Sequence, residues 1–217
     1  EVVNLKADGQ GTNDWGALTD AVVVLRGGTL TLGGSVDVRS LIVLPGSTIT
    51  QATAQAYPPA DPIGVSASDR VYVACGGAID VSSRGYAPRV AYPGATVPGS
   101  WSAGSHLGEG GVNANPAGET YGSVTRPREN GGGAYTLARG GGAVRIAATR
   151  LLQLDGAIRA NGQSTAEGGG AGGSVWVEAG TLSGAGSIEA NGGNETYYSA
   201  NGSGGGGAIS VEYTTLL

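Results

Sequence analysis

Apolar residues in the second half of the chain recur in short alternating pairs. Three pairs share a spacing of two positions: Val144/Ile146, Val175/Val177 and Ile209/Val211. A period of two is typical of a strand with one buried side. Further apolar residues predict a second strand in each unit: Leu154 with Ile158, and Leu182 with Ile188. Because corresponding positions lie 30 or 31 residues apart, we expect the units to stack with their inward residues in register.

Glycine runs precede each of these first strands, at residues 140–142, at 168–170 with 172–173, and at 204–207. Glycine makes up 43 of the 217 residues, and it allows backbone segments to approach closely. We therefore interpret runs that recur at one point of each unit as stacked corners. A flexible linker is one alternative, but it predicts no strands between the runs. A packed bundle of polyproline II-like helices is another.

The N-terminal part predicts a short helix that covers the first coil. Asn13 and Asp14 can cap it, and Gly27 ends it. Four apolar residues fall on one helical face: Leu18, Ala21, Val22 and Leu25. Residues 1–27 are thus the predicted N-terminal cap.

Residues 28–81 are predicted to form the first coils. Four strand-like segments begin six residues apart, at Gly28, Gly34, Ser40 and Gly46. They predict a polygonal coil, and a left-handed helix of hexapeptides is the competing interpretation. Residues 51–69 are predicted to be a loop or irregular coil, after which 71–73 and 78–81 resume the stack.

Residues 82–139 lose the periodicity and alternate proline, glycine and aromatic residues. We interpret this part as a long ordered excursion from the stack, and residues 140–217 as the repeat coils. The whole chain, 1–217, is predicted to be one domain.

Composition excludes several classes of function. The net charge is −5 without a basic stripe, so no nucleic-acid partner is expected, and no apolar run reaches the length of a membrane span. With one histidine and one cysteine, no metal site, disulfide or cofactor is expected. Cys75 is predicted to be buried. The chain begins at Glu1 rather than Met, which fits either a removed signal peptide or a sequence trimmed at its N-terminus. We expect an extracellular location.

Two resemblances refine the fold. The first rests on four parts of the N-terminal region: Val2–Asp14, Ala17, Ala21 and Gly27–Leu30. Together they resemble the opening of pectin-lyase-like right-handed β-helix proteins, which include secreted polysaccharide-degrading enzymes and phage tailspikes. This resemblance implies a right-handed parallel β-helix.

The second resemblance covers most of residues 77–213. Its segments are Gly77–Tyr86, Ser105–Gly111, Tyr121–Ser123, Pro127 and Gly131–Gly133, followed by repeated Ala-Asn-Gly. They are similar to a glycine-rich β-helix module of large secreted or surface proteins of bacteria.

Candidate chemistry is sparse, and we predict no catalytic residues. Five acidic residues flank strands and are expected to face outward: Asp37, Asp80, Asp155, Glu178 and Glu189. In a glycosidase the two catalytic carboxylates lie roughly 5–9.5 Å apart. Two outward carboxylates on neighbouring coils would have such a separation simply because of the spacing between strands, so the distance alone does not indicate catalysis. Arg145 and Arg159 are expected to form surface ladders with Glu178 and Glu189 instead.

Aromatic residues are the better candidates for binding. Seven residues could contact sugar rings: Tyr86, Tyr92, Trp101, His106, Tyr121, Tyr197 and Tyr198. The alternative is that they cover the side or end of the stack.

The sequence therefore predicts an all-β, right-handed parallel β-helix with a capping helix and a glycine- and proline-rich excursion. We expect a non-enzymatic structural or adhesive domain at a cell or virion surface. The alternative is a polysaccharide-binding or polysaccharide-degrading protein. Asn161 and Asn191 are predicted to stack as a side-chain ladder, or else to adopt a left-handed turn conformation. We expect the last coil to be covered by the excursion, a neighbouring domain or another copy of the chain.

Overall fold

A computed structural model describes the backbone of residues 2–5 and residues 18–53, 62–113, 115–197 and 202–217 in full. These residues are mostly β with almost no helix, as predicted. In chain order the strands are β1 (Val2–Leu5), β2 (Val22–Leu25), β3 (Gly28–Leu32), β4 (Ser35–Val43), β5 (Ser47–Gln51), β6 (Ile63–Val73), β7 (Ala78–Asp80), β8 (Ala143–Leu154), β9 (Ala157–Arg159), β10 (Ser164–Thr165), β11 (Gly168–Gly169), β12 (Ser174–Ser183), β13 (Ser187–Glu189) and β14 (Ala208–Leu216).

Two parallel sheets contain nearly all of these strands. The larger has the order β1-β2-β4-β6-β8-β12-β14, and the smaller has the order β13-β9-β7-β5-β3. From β2 onward, successive strands alternate between the two sheets, apart from the small antiparallel pair β10–β11. Residues far apart in sequence are therefore neighbours in each sheet, and the predicted parallel strands are confirmed.

Columns of apolar side chains in register form the core. In the smaller sheet one column runs through Leu30, Ile49, Ile79, Ile158 and Ile188. In the larger sheet another runs through Val65, Ile146, Val177 and Val211. Fully burying such a side chain contributes about 1.5–3 kcal/mol. These columns are made largely of β-branched residues that suit strands, and they form one buried cluster against which the end residues Ile188 and Val211 pack partly buried.

The predicted register of the repeat pairs is confirmed, but their burial is not uniform. Val144 pairs with Val175, which pairs with Ile209. Val144 and Val175 are buried, whereas Ile209 is 44% exposed. The reason is that β14 lies at the edge of its sheet, with a neighbouring strand on one side only.

The excursion does not cover this edge completely. The hydroxyl of Ser210 on β14 donates to the carbonyl oxygen of Thr125, 3.0 Å away. Ile209, Tyr213 and Leu216 nevertheless stay exposed. That another copy or a neighbouring domain covers this edge stays a prediction.

Three local predictions are wrong. Val22–Leu25 is strand β2 rather than the end of a helix, because its β-branched residues pair in parallel with β4; the predicted caps Asn13 and Asp14 lie outside the described residues. Residues 63–69, predicted to be a loop, begin β6. The predicted segments at Gly34 and Ser40 form one strand, β4, whose register with β6 shifts between Val38 and Ser40.

Cys75 is exposed rather than buried. It follows the buried end of β6 and begins the turn into β7, so the strand's alternation no longer applies to it.

Between β7 and β8 the described residues form neither helix nor strand, in agreement with the predicted irregular excursion. They are held by hydrogen bonds to the later glycine runs. We call the hydrogen-bonded segments 102–111, 130–142, 160–173, 190–193 and 202–207 the glycine bundle.

Hydrogen bonds in the glycine bundle repeat every three residues. The N–H groups of Gly169 and Gly172 donate to the carbonyl oxygens of Gly202 and Gly205. The N–H groups of Gly204 and Gly207 donate to the carbonyl oxygens of Gly193 and Ala190. Three residues per turn is the repeat of a polyproline II helix, whereas a β ladder repeats every two. This spacing matches the polyproline II-like bundle, which is one of the alternatives that the sequence leaves open for the glycine runs. The hydrogen-bonded segments are longer than the corners between strands that the runs predict.

Close approach explains why glycine fills these segments. A Cβ on Gly170 would lie 1.9 Å from the carbonyl oxygen of Arg139, and the backbone of Gly170 does not need a positive φ. The requirement is therefore space between neighbouring backbones.

Asn161 and Asn191 each lie two residues after one of the neighbouring strands β9 and β13, but they do not form the predicted ladder of two side chains. Oδ1 of Asn161 accepts the backbone N–H of Asn191 at 2.8 Å, and Nδ2 of Asn161 donates to Glu189 at 3.0 Å. Among the described non-glycine residues, positive φ occurs at Ser83, Arg89, Trp101 and Leu137, so the left-handed turn is wrong as well.

The predicted charge ladders are confirmed. Arg145 pairs with Glu178, and Arg159 pairs with both Asp80 and Glu189 on the neighbouring strands, at 3.6 Å each. No helix within the described ranges is long and apolar enough to cross a membrane.

Candidate binding surface

The excursion brings four of the predicted aromatic residues into one cluster. Around Tyr121 lie Tyr86, Tyr92 and His106, with ring centroids 6.4, 5.3 and 5.1 Å from it. Tyr92 stacks on Tyr121, and Tyr86 meets it edge-on. These contacts join separate parts of the excursion through their side chains.

Half of this cluster is closed to solvent, whereas Tyr92 is 42% exposed and Tyr121 is half-buried. Tyr86 and His106 are buried. The hydroxyl of Tyr121 donates to the carbonyl oxygen of Asn130 at 2.8 Å, and burial raises the pKa of Tyr121 far above its usual value. The rings of Tyr86 and His106 thus offer no open face to a sugar, and we assign them a supporting role.

Trp101 lies outside this cluster and contacts a different ring. Its centroid is 6.4 Å from that of Tyr135, and Trp101 is 44% exposed. The guanidinium of Arg89 lies over the same Tyr135 ring, with Cζ 4.2 Å from its centroid. We call Arg89, Trp101 and Tyr135 the aromatic platform. Tyr197 is exposed elsewhere, and Tyr198 lies outside the described residues.

The backbone around the aromatic platform is strained. Arg89 and Trp101 have φ of 61° and 66°, and Leu137, two residues after Tyr135, has φ of 51°. Positive φ is uncommon for non-glycine residues, and it costs free energy that the surroundings must offset. Three of the four such residues in the described chain therefore lie in or beside one surface.

Hydrogen bonds hold this strained backbone in place. The N–H of Arg89 donates to the carbonyl oxygen of Ala134 at 2.8 Å, and the N–H of Tyr135 donates to that of Ser102 at 3.0 Å. Ser102 and Ala134 both belong to the glycine bundle, which thus supports the platform. The exposed Trp101 and the half-buried Tyr135 therefore lie on backbone that is hydrogen-bonded to the glycine bundle.

A second surface is a groove on the outer side of the larger sheet. It is open, has a volume of about 500 Å³, and is lined by Arg145, Glu178, Glu212 and Tyr213 around a floor of alanine, glycine and threonine. Glu178 and Glu212 are register partners on β12 and β14, and Glu178 is also ion-paired with Arg145. The groove thus places two carboxylates side by side.

The sequence does not point to Arg89 or Tyr135 as partners of Trp101. They lie 12 residues before and 34 residues after it, within a region without periodicity. The exposed carboxylate of Glu212 was missed too, although its position in the third repeat, matching Glu178 in the second, is a signal that could have found it.

No family model, curated protein or solved structure matches this chain. The resemblances to pectin-lyase-like proteins and to the glycine-rich β-helix module therefore stay predictions.

Proposed function

We propose that this chain is a non-enzymatic, extracellular structural or adhesive domain, built as a right-handed parallel β-helix with a polyproline II-like glycine bundle at its side. Two parallel sheets whose strands alternate along the chain support the β-helix. Three of the five predicted outward carboxylates, those of Asp80, Glu178 and Glu189, are ion-paired with arginines, which supports a structural role for them. Extracellular location rests on the sequence alone.

The aromatic platform is the observation that carries adhesion. Exposed aromatic rings stack on the apolar faces of sugars, and strained residues concentrate where a surface must be held in one shape. Trp101 combines both properties, since it is exposed and has a positive φ. We infer that the platform binds a saccharide at a cell or virion surface.

A glycan array with the intact chain tests this proposal. We expect binding to a subset of saccharides, lost in Trp101→Ala and retained in Tyr197→Ala, which removes an exposed tyrosine outside both the platform and the groove. Because Trp101 has a positive φ, Trp101→Asn is a second variant that tolerates this backbone. Equal binding by wild type and both Trp101 variants would contradict the proposal.

Polysaccharide degradation is a second candidate, favoured by the register pair Glu178 and Glu212 in the groove. Parallel strands lie about 4.8 Å apart, so the two carboxylates can reach the separation used in glycoside hydrolysis. Incubation with the saccharides bound on the array, followed by an assay for new reducing ends, tests it. Product formation that Glu212→Gln abolishes would replace the non-enzymatic proposal.

A further inference from the structure

Arg89 is fixed more tightly than an ordinary surface arginine. Its Nε–H donates to the carbonyl oxygen of Tyr135 at 3.0 Å, while its guanidinium stacks on the ring of the same residue. The backbone N–H of Arg89 is bonded to Ala134. The long side chain has therefore already lost most of its conformational freedom before any ligand arrives.

The charge of Arg89 is not neutralised within the described chain. Four other arginines lie within 4 Å of a carboxylate: Arg70, Arg145, Arg150 and Arg159. No described carboxylate is that close to Arg89, which is exposed. The Nε–H bond to Tyr135 is the side-chain hydrogen bond that Arg89 makes within the described residues, so Nη1 and Nη2 remain available as donors.

We propose that the aromatic platform selects a carboxylated pyranose, a specificity that rests on the proposed saccharide binding. Trp101 stacks on the sugar ring, and the two Nη groups of Arg89 bind the carboxylate. Guanidinium donors match the planar carboxylate in a two-pronged hydrogen bond, and charge-assisted bonds are the stronger ones. Both residues neighbour the Tyr135 ring, which places them within reach of one short saccharide.

A matched pair of ligands tests this specificity. We would measure, by calorimetric titration at low salt, binding of a β-1,4-linked glucuronic acid oligomer and of the β-1,4-linked glucose oligomer of the same length. The two differ at the carboxylate. Wild type is expected to bind the acidic oligomer about tenfold more tightly, with the preference reduced at high salt.

Variants separate the two proposals. Arg89→Gln is expected to remove the tenfold preference, because the affinity for the acidic oligomer falls to that for the neutral one. Arg89→Asn tolerates the positive φ and gives the same readout if the first variant is unstable. Trp101→Ala is expected to lower the affinities for both oligomers by the same factor.

Two outcomes would overturn the proposal. Equal affinity of wild type for both oligomers, or an acidic preference that survives in both Arg89 variants, refutes the role of Arg89 and leaves saccharide binding intact. Failure of wild type to bind either oligomer refutes the specificity, and a blank glycan array in addition refutes the proposed function.

Discussion

The imidazole of His106 donates its Nδ1–H to the carbonyl oxygen of Gly172, 2.9 Å away, and so joins the excursion to the glycine bundle. A carbonyl oxygen only accepts hydrogen bonds, so the neutral ring carries its proton on Nδ1. The other nitrogen, Nε2, is buried and has no hydrogen-bond partner in the described structure. A second proton on this ring would therefore enter an unfavourable site.

The first prediction is that stability falls when the solution becomes mildly acidic. Burial lowers the pKa of His106 below its usual 6.5, against the opposing effects of the Gly172 carbonyl and the Glu129 carboxylate. The unfolded chain then binds more protons as pH falls through 6.5, so the stabilisation present above this pH is lost toward the lower folded pKa. We expect urea unfolding to show a decrease of up to about 1.4 kcal/mol per pH unit in this window.

The control uses the fact that His106 is the single histidine of the chain. In His106→Gln, the free energy of unfolding should no longer change between pH 7.5 and 5.5. A wild type whose stability is constant over this range would show that His106 is protonated as easily when folded as when unfolded.

The second prediction concerns close packing in the glycine bundle. Gly170→Ala should lower the free energy of unfolding by on the order of 3 kcal/mol, because its Cβ would meet the Arg139 carbonyl oxygen at 1.9 Å. Gly206→Ala is the matched control, since nothing lies within 4 Å of its Cβ, and should change stability by about 0.5 kcal/mol or less. Denaturant unfolding of both variants measures the difference. Equal stabilities would argue against tight packing at Gly170.

The third prediction uses two residues of one apolar column. Val175→Asp places a carboxylate in the buried core and should abolish cooperative unfolding. Ile209→Asp, at the register partner on the edge strand, should cost only about 1 kcal/mol, since Ile209 is already 44% exposed. Thermal melts followed by circular dichroism compare the two. A soluble Val175→Asp protein that melts cooperatively would contradict the assigned repeat.

The fourth prediction concerns Glu189. The amide of Asn161, then the hydroxyl of Ser187 and the charge of Arg159, hold the pKa of Glu189 below its usual value. Asn161→Ala should raise this pKa, and Ser187→Ala should raise it less. A carbon-13 NMR titration of the Glu189 carboxyl in each variant measures both shifts. A larger rise of the Glu189 pKa in Ser187→Ala than in Asn161→Ala would contradict this prediction.

Much of the fold was predictable where the pattern is periodic. Pairs such as Val144/Ile146 and Val175/Val177 mark both the strands and their register. Residues at the same position of successive repeats become neighbours on adjacent strands of the parallel sheet. The exposure of Ile209 was not predictable from its own pair, since its burial depends on whether a further strand lies beside β14.

The platform was only partly predictable. Trp101 stood out as an aromatic residue in an aperiodic region, but its partners are set by hydrogen bonds such as that from Tyr135 to Ser102, which no local pattern encodes. The same limit explains His106, whose burial follows from a contact with Gly172, 66 residues away in the chain.

The glycine bundle also affects how the free energy of unfolding depends on temperature, because it is held by hydrogen bonds between peptide groups rather than by apolar side chains. Exposure of apolar surface raises the heat capacity on unfolding, whereas exposure of peptide groups lowers it. The apolar columns and the bundle therefore contribute with opposite signs. The heat-capacity change of the whole chain should fall below the roughly 12–15 cal/mol/K per residue of ordinary globular proteins. The chain's stability should accordingly vary less steeply with temperature, with weaker curvature toward both cold and heat.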